Sequence, residues 1–179
     1  MEARSETCMS MLTMQKDWVW AEYSLCQEHA KSLTDREIRV RKATYDPAAP
    51  GSLMPLFARI VGAEPEKEHF FVLPIDTKLR PICAPIEISQ GTITQTPVHP
   101  REVYCEATRY RARAIVDAHN HPDGDPEPSE EDLSVTKRLA DAGRILGIKL
   151  LDHIVLGGSN TCNGSGFISI RALHPDIFA

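Results

Sequence analysis

Residues 114–132 read AIVDAHNHPDGDPEPSEED, and the order of residue types in this stretch predicts both a fold class and a site. The apolar run at 114–116 is typical of a buried strand, and His119 and His121 follow at its carboxyl end. Ser129, which comes after a loop rich in proline and glycine, predicts the start of a helix. Because α/β folds place their active sites at the carboxyl ends of strands, the stretch predicts an α/β fold with its site at the two histidines.

The segments on either side of this stretch continue the alternation of helices and strands. Their order predicts an α/β architecture with a mixed central β-sheet flanked by helices. In chain order we expect a helix near 18–31, a strand at 37–43, a helix at 53–61, a hairpin of strands 69–75 and 81–88 joined by a turn at 76–80, a turn at 90–92, a helix that starts at Pro100, the strand at 114–116, a helix from Ser129 to about Leu146 that stops at Gly147, and strands at 149–156 and 166–170.

Chain length and one break in the pattern predict the domain organisation. The 179 residues suit one domain with a substantial core, together with a short extension. Residues 46–52, DPAAPGS, interrupt the periodic pattern with prolines and a glycine. We therefore expect an N-terminal extension over residues 1–45 and a domain over residues 46–179.

Composition argues against several partners and compartments. The net charge is -5 and the basic residues are scattered, so nucleic-acid binding is expected to be weak. The densest basic group, Arg109, Arg111 and Arg113, is better explained by a solvated face. Five cysteines without a C-x-x-C pair predict neither a disulfide framework nor a cysteine-rich zinc site. With no signal peptide and no long apolar segment, we expect no membrane association and a cytoplasmic location.

The two histidines and a nearby carboxylate predict a metal centre. In an extended chain alternate side chains share a face, so His119 and His121 can point at one ion while Asn120 points away. The intervening loop is long enough to deliver Asp132 as a third ligand. Two imidazoles and one carboxylate leave the fourth position of a tetrahedral zinc to water, which is typical of a catalytic rather than a structural site. We expect one Zn²⁺ per chain, although iron and manganese suit the same donors.

Two other patterns near this site allow more than one interpretation. Ser129-x-x-Asp132 is also what a helix N-terminus looks like, and the same residues can cap a helix and hold a ligand in place. His153 lies within an apolar run, which favours a buried or supporting histidine over a metal ligand. Its neighbour Asp152 could orient a ligand histidine by accepting its second ring N–H.

The spacing of these residues resembles that of a known family. H-x-H-P, six residues and S-x-x-D is similar to the JAMM signature of the JAB/MPN metallopeptidases. The longer string HNHPDGDPEPSEED is similar to the RadC branch, and further matches keep their order from residue 68 to residue 169. RadC-like sequences usually carry serine where this chain has Asp123. The resemblance implies a JAB/MPN-type, cytidine-deaminase-like fold.

The resemblance also implies roles for individual residues. His119, His121 and Asp132 match the zinc ligands, and Ser129 matches the serine that supports the oxyanion of the tetrahedral intermediate. Glu68 matches the glutamate that acts as general base. Composition alone leaves Glu64 and Glu66 as alternatives, and the apolar run that directly follows Glu68 favours Glu68.

Three functions are compatible with these patterns. The favoured one is a zinc metallopeptidase or isopeptidase, a hydrolase whose partner is a protein or peptide substrate such as a ubiquitin-like tail. The second is a RadC-like role in DNA repair or mobile-element processes. The third is a catalytically silent MPN scaffold, which the presence of every ligand disfavours. Substrate identity, the choice between peptide and isopeptide bonds, the pathway and the oligomeric state are left open by the sequence.

Overall fold

A computed structural model describes residues 44–54, 56–57, 66–91, 98–157 and 166–179. The predicted helix near 18–31, the predicted strand at 37–43 and nearly all of the expected N-terminal extension lie outside these residues. The described elements are a 3-10 helix at Pro50–Leu53, β1 at Glu68–Ile75, β2 at Ile86–Gly91, α1 at Pro100–Arg109, β3 at Ala114–Asn120, α2 at Glu130–Leu146, β4 at Lys149–Leu156, β5 at Phe167–Ser169, α3 at Ile170–Leu173 and a 3-10 helix at Pro175–Phe178.

Within the described residues the strands form one mixed sheet in the order β2-β1-β3-β4-β5. The β3–β4 pair is parallel, whereas β1 pairs with β2 and β3, and β4 with β5, in antiparallel fashion. A parallel pair needs a crossover between its strands, and α2 provides it. The prediction of an α/β fold with a mixed central sheet and flanking helices is thus confirmed.

Strand β3 lies in the middle of the sheet, and every one of its residues is buried. Its side chains alternate between two hydrophobic cores, because successive residues of a strand point to opposite faces. Val116 faces the core that contains Phe71 and Leu73 of β1. Ile115 faces the second core, which α1 and α2 cover. The histidine pair therefore lies at the carboxyl end of a strand that both cores hold in place, with His119 inside the strand and His121 just beyond it.

Asp117 is the polar exception in this strand. Its side chain is fully buried, and among the described residues neither carboxylate oxygen has a hydrogen-bond partner. Burial raises the pKa of Asp117 well above its ordinary value, because the charged form loses its hydration without gaining a donor.

Helix α1 begins where the sequence predicts, and helix α2 both begins and ends there. Pro100 is the first residue of α1, and a ring nitrogen of His99 accepts a hydrogen bond from the Arg101 N–H at 3.2 Å. Ser129 caps α2, and Gly147 ends it in the left-handed region with a φ of 73°. The α2 boundaries expected from the sequence are therefore confirmed.

Strand boundaries elsewhere differ from the expectation. The strand predicted at 81–88 begins only at Ile86, because Pro81 and Pro85 have no N–H with which to continue a ladder. Residues 90 and 91, predicted as a turn, are the last residues of this strand. The final strand ends at Ser169, whose hydroxyl accepts the Ala172 N–H at 3.1 Å and so begins α3.

No helix among the described residues is both long and apolar enough to cross a membrane.

Candidate metal centre

The end of β3 directs alternate side chains to opposite sides of the sheet. The Asn120 side chain points away from the two histidines, accepts the His69 N–H at 2.9 Å and donates to the Lys67 carbonyl at 2.8 Å. Just beyond the strand, the His121 N–H donates to the Leu156 carbonyl at 2.9 Å, which ties this backbone to the end of β4. Strand alternation therefore operates as the sequence predicts, with both histidines on one side.

Three potential ligand atoms converge at this point. The Nε2 atoms of His119 and His121 are 3.0 Å apart. The Asp132 carboxylate lies 3.2 Å from His119 Nε2 through Oδ1 and 3.4 Å from His121 Nε2 through Oδ2. In a tetrahedral zinc site with bonds of about 2.0–2.1 Å, neighbouring ligand atoms are about 3.3 Å apart. Each of these separations is close to one edge of such a tetrahedron, although the two carboxylate distances involve different oxygens, and the three groups, here called the triangle, can hold a metal ion.

The hydrogen on His121 is assigned by its other contact. His121 Nδ1 lies 2.6 Å from the Asp125 carbonyl oxygen, which can only accept a hydrogen bond. Nδ1 therefore carries the hydrogen, and the neutral ring presents an Nε2 lone pair to His119 and Asp132. Because this lone pair faces a second nitrogen and a carboxylate, a cation between them, either a proton or a metal ion, would be stabilised.

Electrostatics at the triangle follow from the same contacts. The hydrogen bond to Asp132 raises the pKa of His121 above its ordinary value, and the contact with the Asp125 carbonyl adds to this. Burial alone would raise the pKa of Asp132, but the hydrogen bonds that His119 and His121 can donate in their protonated forms outweigh it and hold this pKa far below its ordinary value. The carboxylate is therefore ionised at any physiological pH, as a metal ligand must be.

The start of α2 presents Asp132 to the histidines. Ser129 and Asp132 form a capping box in which each side chain bonds the backbone N–H of the other residue. The Ser129 hydroxyl also donates to Asp132 Oδ2 at 2.6 Å. The two interpretations of Ser-x-x-Asp are thus compatible, because the residues cap the helix and place Asp132 Oδ1 beside His119.

Close packing holds the loop between His121 and Ser129 against β4. Gly124 has a φ of 85° and donates its N–H to the His121 carbonyl at 3.0 Å, which closes a turn at the site. A side chain at Gly157 would overlap the Gly124 carbonyl and the Pro126 ring. Glycine at residue 157 therefore lets the loop lie directly on the end of β4.

A cleft of about 490 Å³ opens over the three converging groups. One wall is apolar. The remaining lining consists of the triangle, four further carboxylates, His153, Pro122 and Ser129, with no lysine or arginine among the described lining residues. The apolar wall consists of Phe70, Val98 and Val135, and the carboxylates outside the triangle are those of Glu66, Glu68, Asp123 and Glu131.

The position of Glu68 follows from strand register. Phe70 of β1 is paired with His119 of β3, and the Phe70 ring stacks on the His119 ring at 6.2 Å. Glu68 lies two residues before Phe70 in the same strand and hence on the same face, and it lines the cleft together with His121. Glu66 precedes β1 and also lines the cleft, whereas Glu64 lies outside the described residues.

His153 lies behind the first ligand histidine rather than at the triangle. It is fully buried, and its Nε2 is 2.8 Å from His119 Nδ1. Its Nδ1 is 2.6 Å from the Thr136 hydroxyl, a residue that the sequence analysis did not single out. Burial lowers the pKa of His153 well below its ordinary value, and the neighbouring His119 adds to this. His153 is thus a buried supporting histidine, as the apolar run around it suggests.

The suggestion that Asp152 orients a ligand histidine is wrong. Asp152 and His153 are adjacent in β4 and point to opposite faces of the sheet. The Asp152 carboxylate accepts hydrogen bonds from the Ser169 hydroxyl at 2.8 and 2.9 Å and from the Tyr45 hydroxyl at 3.3 Å. It therefore joins β4 to the start of α3 and to the segment before the first 3-10 helix, on the side away from the metal centre.

Comparison with known proteins identifies the family. The family model described as "RadC-like JAB domain" matches residues 48–171. Together with the mixed sheet and the converging His/His/Asp group, this match shows that the chain belongs to the RadC-like JAB domain family.

Individual relatives agree with this membership. The chain is 50% identical over 91 residues to a UPF0758 protein of Pelobacter propionicus and 53% identical over 91 residues to one of Geotalea uraniireducens. A UPF0758 protein of Clostridium novyi is 50% identical over 95 residues. These matches cover 51–53% of this chain and 39–41% of each relative, so the chain spans about two fifths of their length.

Proposed function

We propose that this domain is a zinc-dependent peptidase or isopeptidase. The observation that carries the proposal is the convergence of His119, His121 and Asp132 at 3.0–3.4 Å beside an additional carboxylate in an open cleft. Three protein ligands leave a coordination position for water, which distinguishes a catalytic zinc from a structural one. Iron or manganese would suit the same donors. Zinc is proposed because three nitrogen and oxygen ligands with one open position are its usual catalytic arrangement.

In this proposal the triangle holds the metal ion, and a nearby glutamate transfers the proton during hydrolysis. A divalent ion held by these ligands would lower the pKa of a water and polarise a carbonyl group. We assign the general base to Glu68, whose carboxylate would take a proton from the attacking water and return it to the leaving amine nitrogen. Glu68 is favoured over Glu66 because β1 places it on the face of Phe70 and His119.

Ser129 has a more restricted part in this proposal. Its hydroxyl donates to Asp132 Oδ2 and accepts the Asp132 N–H, so its hydrogen is already used. To donate to a substrate oxyanion the hydroxyl must break the bond to Asp132. We therefore expect Ser129 to support the ligand first and to support the oxyanion only if its hydroxyl rotates.

The shape and charge of the cleft favour a polypeptide substrate. Its volume of about 490 Å³ suits a few residues of an extended chain, and its apolar wall can bury side chains of that chain. A protein tail, of which a ubiquitin-like C-terminus is one kind, meets these requirements. The acidic lining opposes a phosphate backbone, so a direct role in DNA processing receives no support from the electrostatics.

Peptide cleavage by metal-loaded protein tests the proposal. The chain should be purified without chelators and without a histidine tag, loaded with Zn²⁺, and incubated with a diverse library of extended peptides and ubiquitin-like tails. Mass spectrometry should detect new termini in the zinc-loaded sample but none after chelation or in Asp132→Ala. Undiminished zinc content in both His119→Ala and Asp132→Ala would show that the ion binds elsewhere. Submicromolar binding to DNA near physiological salt, without peptide cleavage, would favour the alternative role.

A further inference from the structure

A chain of short contacts runs from one ligand of the triangle to another through the protein interior. His119 Nδ1 lies 2.8 Å from His153 Nε2, and His153 Nδ1 lies 2.6 Å from the Thr136 Oγ1. The same Oγ1 lies 2.6 Å from the backbone carbonyl oxygen of Asp132. The contacts therefore begin at one ligand, His119, and end at the main chain of another, Asp132.

The hydrogens in this chain can be assigned from Thr136. Two oxygens, or an oxygen and a nitrogen, approach to 2.6 Å only with a hydrogen between them. The Thr136 hydroxyl has one hydrogen and makes two such contacts. The Asp132 carbonyl can only accept, so the hydroxyl hydrogen is donated to it. The hydrogen of the second contact must therefore come from His153 Nδ1.

The hydrogen on His153 Nδ1 determines which nitrogen of His119 carries a hydrogen. His153 is fully buried and its ring nitrogens contact only a hydroxyl and another imidazole, so the ring is neutral and a hydrogen on Nδ1 leaves a lone pair on Nε2. The 2.8 Å contact with His119 then requires that His119 Nδ1 is the donor. A neutral His119 consequently has no hydrogen on Nε2, the atom that faces His121 and Asp132.

We propose that Thr136 and His153 are positioning residues that hold His119 in the Nδ1–H tautomer, so that its Nε2 lone pair is always directed at the metal ion. With the opposite tautomer of His153, His119 would carry its hydrogen on Nε2 and block the coordination position. Asp132 anchors this arrangement at both ends, because its carboxylate faces His119 and its carbonyl orients Thr136. This inference rests on the metal site of the proposed function but not on peptidase activity.

The expected size of the effect follows from metal sites in general. Groups that orient a ligand histidine typically change metal affinity about 10–100-fold when they are removed. Thr136→Val deletes the hydroxyl at nearly constant volume and should weaken zinc binding by about this factor. Thr136→Ser keeps the hydroxyl and should restore most of the affinity. His153→Phe removes the acceptor for His119 and should weaken binding at least as much as Thr136→Val does.

Nitrogen NMR on labelled protein tests the tautomers directly. Long-range ¹H–¹⁵N correlation spectra distinguish Nδ1–H from Nε2–H rings, at a pH at which His121 is neutral. We expect the Nδ1–H form for both His119 and His153, in the metal-free as well as the zinc-loaded protein, and a loss of this preference in Thr136→Val. An Nε2–H tautomer of His153 in the wild-type protein would overturn the proposal even if zinc binds and peptides are cleaved.

Chelator competition, which measures the zinc Kd, separates positioning from general loosening of the fold. Leu139→Ala is the matched control, because Leu139 is a fully buried residue of the same helix that belongs to the hydrophobic core. This substitution should destabilise the fold while leaving the zinc Kd within about twofold, since it removes no contact in the chain from His119 through His153 and Thr136 to Asp132. Equal losses of affinity in Leu139→Ala and Thr136→Val would show that Thr136 acts only through stability. Absence of zinc binding in the wild-type protein would refute the proposed function, whereas the NMR result would still decide the tautomers.

Discussion

The backbone N–H of Ser129 donates to Asp132 Oδ2 at 2.8 Å, and the Ser129 hydroxyl donates to the same oxygen at 2.6 Å. The Asp132 N–H returns a hydrogen bond to the hydroxyl at 3.2 Å. One carboxylate oxygen therefore begins α2, while the other lies 3.2 Å from His119 Nε2. The group that caps the start of the helix is thus also the third member of the candidate metal centre.

Ser129→Ala should affect stability and metal binding together. Loss of an N-cap side chain costs about 1 kcal/mol of stability. The same substitution frees Asp132 Oδ2 from one of its donors, so the carboxylate is held less firmly and zinc binding weakens. Urea unfolding of the metal-free protein and chelator competition measure the two effects. Ser129→Thr keeps the hydroxyl and is the control, and an unchanged zinc Kd in Ser129→Ala would contradict the coupling.

Glu68→Gln should abolish most of the proposed peptidase activity without loss of metal. The amide cannot accept the proton of the attacking water, and a positioned base contributes about 10²–10⁴-fold to turnover. Zinc content and the unfolding midpoint should stay at wild-type values. Glu66 lines the same cleft but precedes β1, so Glu66→Gln is the matched control. We expect near-normal turnover in this variant. Full turnover in Glu68→Gln with zinc bound would return Glu66 and Glu64 to consideration.

Asp123 should favour cationic residues near the scissile bond. It lines the cleft together with several other carboxylates, at the position where RadC-like sequences usually carry serine. Asp123→Ser removes one exposed negative charge, and an exposed ion pair is worth about 0.2–1 kcal/mol. We expect kcat/KM to fall by about two- to fivefold for peptides that carry lysine or arginine there. Neutral peptides of the same length are the control, and an equal fall for both would show that charge is not the cause.

Asp117→Asn should stabilise the fold, and the gain should grow with pH. Burial raises the pKa of Asp117 in the folded state above that in the unfolded chain, which is about 3.9. The wild-type protein therefore loses stability as pH rises from about 4 towards the raised pKa, because only the unfolded chain ionises freely. An uncharged amide does not titrate, so the variant should gain about 1–3 kcal/mol at neutral pH and little near pH 4.

Unfolding measurements across this pH range check the Asp117 prediction. Asp76→Asn is a control of opposite sign. Burial tends to raise the pKa of Asp76, but hydrogen bonds from the Arg80 backbone and side chain outweigh this and hold the pKa below its ordinary value. Asp76 therefore contributes stability above the unfolded pKa that is lost as pH falls through the folded one. A pH-independent difference between Asp117→Asn and the wild-type protein would contradict the prediction.

Local spacing was enough to predict the three converging groups and the helix cap beside them. Strand alternation placed His119 and His121 together, because the period of two is a property of the extended backbone. Ser129 and Gly147 predicted the ends of α2, because capping depends on residues a few positions apart. These features persist whatever packs around them.

Only the tertiary structure shows which side chains support His119 from the protein interior. Thr136 is an ordinary helical threonine in the sequence, and its contact with His153 exists because α2 packs over that face of β4. The erroneous assignment of Asp152 has the same origin. Alternation shows that Asp152 and His153 point to opposite faces, but only the packing of the helices shows which face holds the metal centre.

The sequence by itself determined the three converging groups and the fold class, since both depend on patterns that repeat over a few residues. Tertiary structure decided that Glu68 shares a cleft with the histidines, and it decided which hydrogens the histidines carry. Those properties depend on the register of β1 against β3 and on the packing of α2 over β4, which join residues far apart in the chain. Such pairings are chosen by the whole core at once, so no local pattern specifies them.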